Sequence, residues 1–370
     1  MSLYSIEPID RSHNTAILNI LRSSPNSTEN LTVCFDRQPD FFCLPDIRYN
    51  PHYYYGYFHN DQLKGFGGIG YHDAMVNGLP GTVFHMRDYY VAPEARGKGF
   101  GYRLTERFFK NPYNQSDVGY VIIMAGNRPS LHYVGRRNEK FPYIPYSRII
   151  NQLDVRNIML TWPVINSRDY TIRKAENEDI PEIVALLNNE HRERLFGNLY
   201  DETTFREYLS KRPGLEISDY CLAIDKAGKT CGVCAAWDCS SFKQTRVIKY
   251  GKRFRKAKML YKGLSLLFDL QPLPSPGECF RDTIITDYAV RNRDPGIMNA
   301  LLRYLYNDLR KRGFQNMMWG SSADDPLLKA SEGFFHQRVV SNIVLISTNP
   351  EMTENGRIRN HLPFIDIPCL

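Results

Sequence analysis

The sequence predicts an α/β protein made of two similar units in tandem. Three observations carry this. The chain has 370 residues, more than one ordinary core holds, so two domains are the natural expectation. Hydrophobic residues make up 42% of it, with 20 Phe and 24 Tyr, enough for two cores and too many for a disordered chain. Finally, the order of strand and helix patterns in the first half recurs in the second.

In the first unit, residues 4–7 alternate like a short strand. Residues 14–22 place Ile17, Leu18, Ile20 and Leu21 on a helical period, and Ser24-Pro25 stops the helix. An irregular, Pro-containing stretch follows. Residues 53–58 and 63–71 read as a hairpin turning at 59–62, and 82–91 as a third strand. A helix is expected over 101–110, a buried strand over 120–124, a helix over 130–137 and closing strands over 144–160. The second unit restarts at 170–173, which resembles 4–7. A helix over 179–188 carries Ile180, Ile183, Val184 and Leu187 as its apolar stripe. A hairpin follows over 221–224 and 231–237, then a strand over 282–290. Asp294-Pro295 opens the next helix, with Pro in the first turn. A strand over 314–319, a short helix over 326–331 and a strand over 339–346 complete the order. Residue identity between the halves is low, so the duplication rests on order and pattern. The boundary falls between 163 and 169, giving domains 1–165 and 166–370. The second carries an insertion at about 240–276.

Composition narrows the function classes. The net charge of +7 suits an anionic ligand or partner and says nothing about fold. Residues 1–10 show no basic region followed by an apolar run, so no secretory signal is expected. No run approaches the roughly 18 apolar residues of a membrane span. Eight cysteines over 370 residues do not make a disulfide scaffold. A cytoplasmic protein with no membrane partner is the expectation; oligomeric state is not readable.

The segment 88–104 carries the chemistry. It reads Asp88-Tyr89-Tyr90-Val91-Ala92-Pro93-Glu94-Ala95-Arg96-Gly97-Lys98-Gly99-Phe100-Gly101-Tyr102-Arg103-Leu104. A strand ends near Ala92 and a helix begins near Gly101. The loop between them presents backbone N–H groups that the first helical turn leaves unsatisfied, at the positive end of the helix dipole, where phosphate binds. Gly97, Gly99 and Gly101 allow unusual dihedrals and close approach. Arg96, Lys98 and Arg103 add charge, so the loop reads as a pyrophosphate cradle. It lacks the Gly-Lys-Ser/Thr of a nucleotide-triphosphate loop.

These residues resemble the GCN5-related N-acetyltransferase (GNAT) superfamily. Its Gln/Arg-x-x-Gly-x-Gly/Ala signature matches Arg96-Gly97-Lys98-Gly99-Phe100-Gly101, and Val91-x-Pro93-Glu94-x-Arg96 is also similar to the family. The resemblance covers most of residues 1–160. It implies a mixed, mostly antiparallel sheet, flanked by helices and splayed beside the motif strand, with acetyl-CoA as co-substrate and no metal. It implies that the backbone of Tyr90, Val91 and Ala92 pairs with the pantetheine arm, one N–H holding the oxyanion. The segment Gly97, Lys98, Gly99, Phe100, Gly101, Tyr102 and Arg103 would hold the pyrophosphate, and Asn127 would contact the arm. The reaction implied is direct attack of an amine on the thioester, with a base and an acid to move protons.

On a strand Met86, Asp88 and Tyr90 share a face, which makes Asp88 the candidate base. The alternative is a structural carboxylate paired with Arg87 or Arg96. His85 faces the other way and is the weaker choice. Tyr133 is the candidate acid or ordinary core. It lies six residues after Asn127, where the family more often has about seven, and each residue turns a helix by about 100°.

Other signals carry less. Gly65-Phe66-Gly67-Gly68-Ile69-Gly70 matches a dinucleotide pattern, but no helix period follows it, so it reads as a strand. On a strand Cys231 and Cys234 point to opposite faces, and they lack partners for a metal. Residues 243–262 hold nine Lys/Arg and no acid. They read first as a solvated, partly helical excursion. Contact with an anionic substrate or the coenzyme phosphates, and nucleic-acid binding, are the alternatives, and nucleic acid is not the expected partner. In the second unit the cradle position holds Arg293-Asp294-Pro295, where a carboxylate repels phosphate and Pro removes an N–H, so coenzyme binding is expected to be lost there. The sequence therefore points to an N-acetyltransferase acting on a small-molecule or peptide amine. Transfer of a longer acyl group, or non-catalytic coenzyme A binding, are the other readings.

Overall fold

The strands of both halves join a single 12-stranded sheet in the computed structural model. The structure describes residues 4–27, 30–110, 115–133, 142–252, 270–354 and 362–370, together with 255, 258, 259, 263 and 358. From one edge the strands run β1 (Tyr4–Pro8), β4 (His52–His59), β5 (Gln62–Val76), β6 (Leu79–Val91), β7 (Val118–Met124) and β15 (His336–Ser347). The sheet continues through β8 (Tyr146–Met159), β14 (Asn316–Ser322), β13 (Asp282–Val290), β11 (Thr230–Trp237), β10 (Tyr220–Ile224) and β9 (Thr171–Lys174). Read inward from each edge, the two halves present the same series of strands. Each series is antiparallel except for one parallel pair, β6 with β7 and β13 with β14.

The strands at the centre are exchanged. Residues 144–160 were expected to close the first unit, but β8 is one continuous strand paired with β14 and β15. Strand β15, last in sequence, lies between β7 and β8. Each half thus completes its ladder with the other's strand. Alternation alone cannot show this, because a strand buried on both faces reads the same beside any neighbour.

Helices cover both faces. They are α1 (Asn14–Arg22), α2 (Cys43–Arg48), α3 (Phe100–Phe109), α4 (Arg128–Tyr133), α5 (Ile180–His191), α6 (Glu202–Ser210), α7 (Pro295–Lys311) and α8 (Pro350–Glu354). The helix α7 buries Ile297, Met298, Leu301, Leu302, Leu305 and Leu309 in one stripe, at the spacing its sequence shows. Helix α3 buries Phe100, Leu104 and Phe108 against Tyr55, Phe84 and Met86.

The insertion does not stand free of the fold. Its segment β12 (Gln244–Tyr250) pairs with β3 (Leu31–Asp36), which in turn pairs with β2 (Asn26–Ser27). The fully buried Asp36 accepts from Arg22 and Arg246 at 3.2 Å each, so the ribbon is clasped by charge as well as by its ladder. Residues 31–36 and 244–250 were read as irregular chain and solvated excursion. Neither strand could stand alone, and each supplies the other's partner.

Cys231 and Cys234 also depart from expectation. The β10–β11 register shifts beside Ala223, and the extra residue turns both thiols into one cluster with Cys221. Burial raises all three above the ordinary thiol range, which leaves them inert packing groups. Among the described residues no group of His, Cys, Asp and Glu could hold a metal, and no helix is long and apolar enough to cross a membrane.

Candidate functional site

The site is organised by a bulge in β6. The β5–β6 ladder passes from Phe66↔Tyr90 to Gly68↔Arg87, so two residues of β6 oppose one of β5. Asp88 takes the left-handed conformation there, with φ 55°. The bulge reverses the alternation. Phe84 and Met86 before it, and Tyr89 and Val91 after it, pack with α3. Tyr90 packs on the other face with Phe41, Tyr54 and Phe66. The expected shared face of Met86, Asp88 and Tyr90 is therefore broken.

Asp88 sits among fixed partners on the Tyr90 side. Arg87 Nε lies 2.6 Å and Arg37 Nη2 3.5 Å from its carboxylate, and the Tyr54 hydroxyl donates to it at 2.7 Å. Tyr54 reaches across the sheet because Gly68 leaves it room: a Cβ at Gly68 would come within 2.4 Å of the ring. Burial alone would raise the Asp88 pKa. The charges of Arg87 and Arg37 and the Tyr54 bond outweigh it, and hold the carboxyl well below its usual range. Its neighbour His85 is kept neutral, first by burial and then by the Arg87 charge. The Tyr49 hydroxyl and His85 Nδ1 lie 2.7 Å apart.

Beyond the bulge the sheet opens. Strands β6 and β7 pair only through Phe84↔Gly119, His85↔Tyr120 and Met86↔Val121. Further on, β6 pairs with β5 and β7 with β15, leaving a wedge between them. The Ala92 N–H is spent on Lys64 O at 2.8 Å. Antiparallel alternation then turns the Val91 N–H into the wedge, which narrows the expected backbone contacts of Tyr90, Val91 and Ala92 to Val91. At the mouth, a 3-10 turn over Pro93–Ala95 leads into the glycine loop.

The loop itself is open and uncapped. Gly97 and Gly99 have φ of 77° and 73°, conformations that side chains disfavour. A Cβ at either would meet nothing within 4 Å, so the space above them is open. Gly99 is the N-cap of α3 and no side chain caps the helix, which leaves first-turn donors facing that space. Arg96 Nε donates to Val91 O at 3.2 Å, and Lys98 Nζ donates to the Tyr4 hydroxyl at 3.0 Å. Phe100 instead turns inward, its ring 5.0 Å from Tyr57. Gly101, Tyr102 and Arg103 form the first turn of α3. Across the wedge, Asn127 Oδ1 accepts from Ser130 N at 3.3 Å and caps α4, leaving the residue exposed. Tyr133 ends α4, and its side chain lies outside the described residues.

The second half repeats this frame with the opening filled. Asp287 has φ 47°, and the β11–β13 ladder jumps from Val233↔Ala289 to Ala235↔Thr286 around it. Tyr208 and Tyr220 donate to its carboxylate at 2.7 and 2.5 Å. The sequence Asp287-Tyr288-Ala289-Val290 matches Asp88-Tyr89-Tyr90-Val91 at three positions of four, a signal the sequence comparison missed. Pairing of β13 with β14 ends at Ile284↔Met318. Here the Tyr288 hydroxyl bridges to Gly320 O at 3.1 Å, and Arg194 enters to bind Asp325 at 2.6 Å. Arg293 binds the same Asp325 at 2.9 Å. Asp294 caps its own helix, accepting from Gly296 N at 2.7 Å, so those donors are already used.

Residues 15–136 match the family model for the acetyltransferase (GNAT) family. The fold is that of the GNAT acyltransferases. A GCN5-related N-acetyltransferase from Sphaerobacter thermophilus aligns with a TM-score of 0.55 at 12% identity, covering 94% of this chain and 96% of that one. The N-myristoyltransferase of Saccharomyces cerevisiae, with bound myristoyl-CoA, aligns with a TM-score of 0.59 at 11% identity. That likeness covers 99% of this chain and 85% of the yeast enzyme. At these identities the likeness is one of fold. No curated protein matches the sequence.

Proposed function

We propose that this protein is an N-acyltransferase that moves an acetyl group from acetyl-CoA to an amine of a small molecule or peptide. Its one coenzyme site would lie in the first of two tandem GNAT-like units, 1–165 and 166–370. The observation that carries this is the open, uncapped glycine loop at the mouth of the β6–β7 wedge, set against the filled counterpart in the second half. The coenzyme fits the residues present. The 97–101 loop offers backbone donors and space to a pyrophosphate, and the Val91 N–H faces the wedge where the thioester arm would lie.

In the reaction the amine nitrogen bonds the acyl carbon, the carbon–sulfur bond breaks, and the negative charge that develops on the carbonyl oxygen needs a fixed donor. The amine gives up a proton and the departing thiolate takes one. Asp88 is poorly suited to accept that proton, because two guanidinium groups and a tyrosine already stabilise its charge. Its twin Asp287 occupies the same bulge in a half whose cradle is filled. We therefore assign Asp88 the task of anchoring the bulge that turns the backbone toward the wedge. Tyr133 stays the candidate acid from α4. Cytoplasmic location belongs to the same proposal.

Calorimetric titration with acetyl-CoA tests the reading. One-to-one binding is expected, and Gly99→Glu should abolish it by filling the open space with bulk and negative charge. Undiminished affinity in that variant would overturn the cradle, and two sites per chain would overturn the single-site assignment.

A further inference from the structure

The wedge ends at a vertex, where the strands close and aromatic side chains gather. Val91 to Met86 spans about 16 Å at about 3.3 Å per residue. An arm entering at the glycine loop and lying along β6 points its acyl end at the Met86↔Val121 pair, where the strands close. On the α3 face, the Phe84 ring lies over Gly119, so close that a Cβ there would come within 2.3 Å of it. On the opposite face, Tyr120 stacks on His85 at 4.4 Å. Phe196 backs Tyr120 at 4.6 Å. Tyr120, His85 and Phe196 are all buried.

Phe196 is the unusual member. It comes from the second half, from the loop after α5, and holds φ 65°, a conformation that bulky side chains rarely adopt. Two backbone bonds clamp it to the end of β5: Phe196 N to Met75 O at 2.8 Å, and Met75 N to Gly197 O at 2.8 Å. Such conformations persist where surrounding structure enforces them, commonly beside functional sites. Here the strained backbone delivers one ring across the boundary between halves, onto the first-half residue that floors the vertex.

We infer that Phe196 and Tyr120 form a stop at the end of the acyl channel, restricting the enzyme to short acyl groups, with the second half supplying the backing. This rests on the acyl-CoA reading above. It also assigns the second half a share in the first half's specificity.

The test compares the affinities of coenzyme A, acetyl-CoA and octanoyl-CoA for the intact protein and for Phe196→Gly. Glycine suits the left-handed backbone and removes the ring. In the wild type, octanoyl-CoA should bind at least tenfold more weakly than acetyl-CoA. In Phe196→Gly that gap should close by tenfold or more, while coenzyme A itself binds as before. Tyr120→Leu, which trims the stop from the first half, should move the ratio the same way, so the test does not depend on one variant folding. A wild type that prefers octanoyl-CoA, or an unchanged ratio in both folded variants, overturns the stop. Failure of the wild type to bind any of the three overturns the acyl-CoA reading itself.

Discussion

Asp88 and Asp287 hold equivalent positions in the two halves, yet removing their charges should have unequal effects. The perturbation is Asp88→Asn against Asp287→Asn. Asp88 faces two buried guanidinium groups, Arg87 at 2.6 Å and Arg37 at 3.5 Å, with a side chain only 6% exposed. Removing one partner of a buried ion pair leaves the other charge uncompensated and costs about 3–5 kcal/mol. Asp287 differs. Burial raises its pKa against the charge of Arg212, which is already paired with Asp366 at 2.5 Å, and Tyr208 and Tyr220 donate to its two oxygens, one of which an amide oxygen replaces. Its replacement should cost about 1 kcal/mol, the scale of one altered hydrogen bond. Urea unfolding at neutral pH would show this as a larger fall in midpoint for Asp88→Asn at similar m-values. Equal shifts, or a larger one for Asp287→Asn, would refute the ion-pair account. An Asp88→Asn variant that folds as well as wild type but loses the acid limb of its pH–rate profile would return Asp88 to the role of base.

Other outcomes follow from the same structure. Acid should destabilise the fold well above the carboxylate range. Burial, foremost, holds His72, His85 and His191 neutral, His191 down to about 3 from 6.5. Between those values the unfolded chain binds protons the folded one refuses, so stability falls as pH drops. Urea midpoints at pH 7.5, 6 and 5 should decline in that order, and less steeply in His191→Gln; a flat series would contradict the burial argument. Residues 1–165 expressed alone should not fold, because β7 would lack β15 and β8 would lack β14 and β15. Mixing them with 166–370 should restore native circular dichroism, and a stable monomer of 1–165 would count against interdependence of the exchanged strands.

Much of the fold was legible in the sequence because local physics dictates it. The helices α1 and α7 followed from apolar stripes, Ser24-Pro25 and Asp294-Pro295, and the first hairpin from aromatic runs about a turn. The glycine loop was legible for the same reason. Gly97 and Gly99 are needed where φ is positive, and a strand, a loop and a helix in that order leave donors unsatisfied whatever surrounds them. Other features were hidden although their residues were in plain view. The repeated Asp-Tyr-x-Val at 88–91 and 287–290 was overlooked because overall identity between the halves is low. The faces assigned to Asp88 and to Cys231 with Cys234 were wrong because a bulge inserts one residue and inverts every side chain beyond it.

The sequence by itself determined that the order of α/β elements recurs along the chain and that a glycine-rich loop stands at the head of one helix. Both depend on residues close together in the chain. The tertiary structure decided the exchange of β8 and β15, the pairing of β3 with β12, the ion pairs that lower the basicity of Asp88, and the placing of Phe196 beneath Tyr120. Each of these depends on contacts between distant residues, and only the assembled sheet brings such residues together.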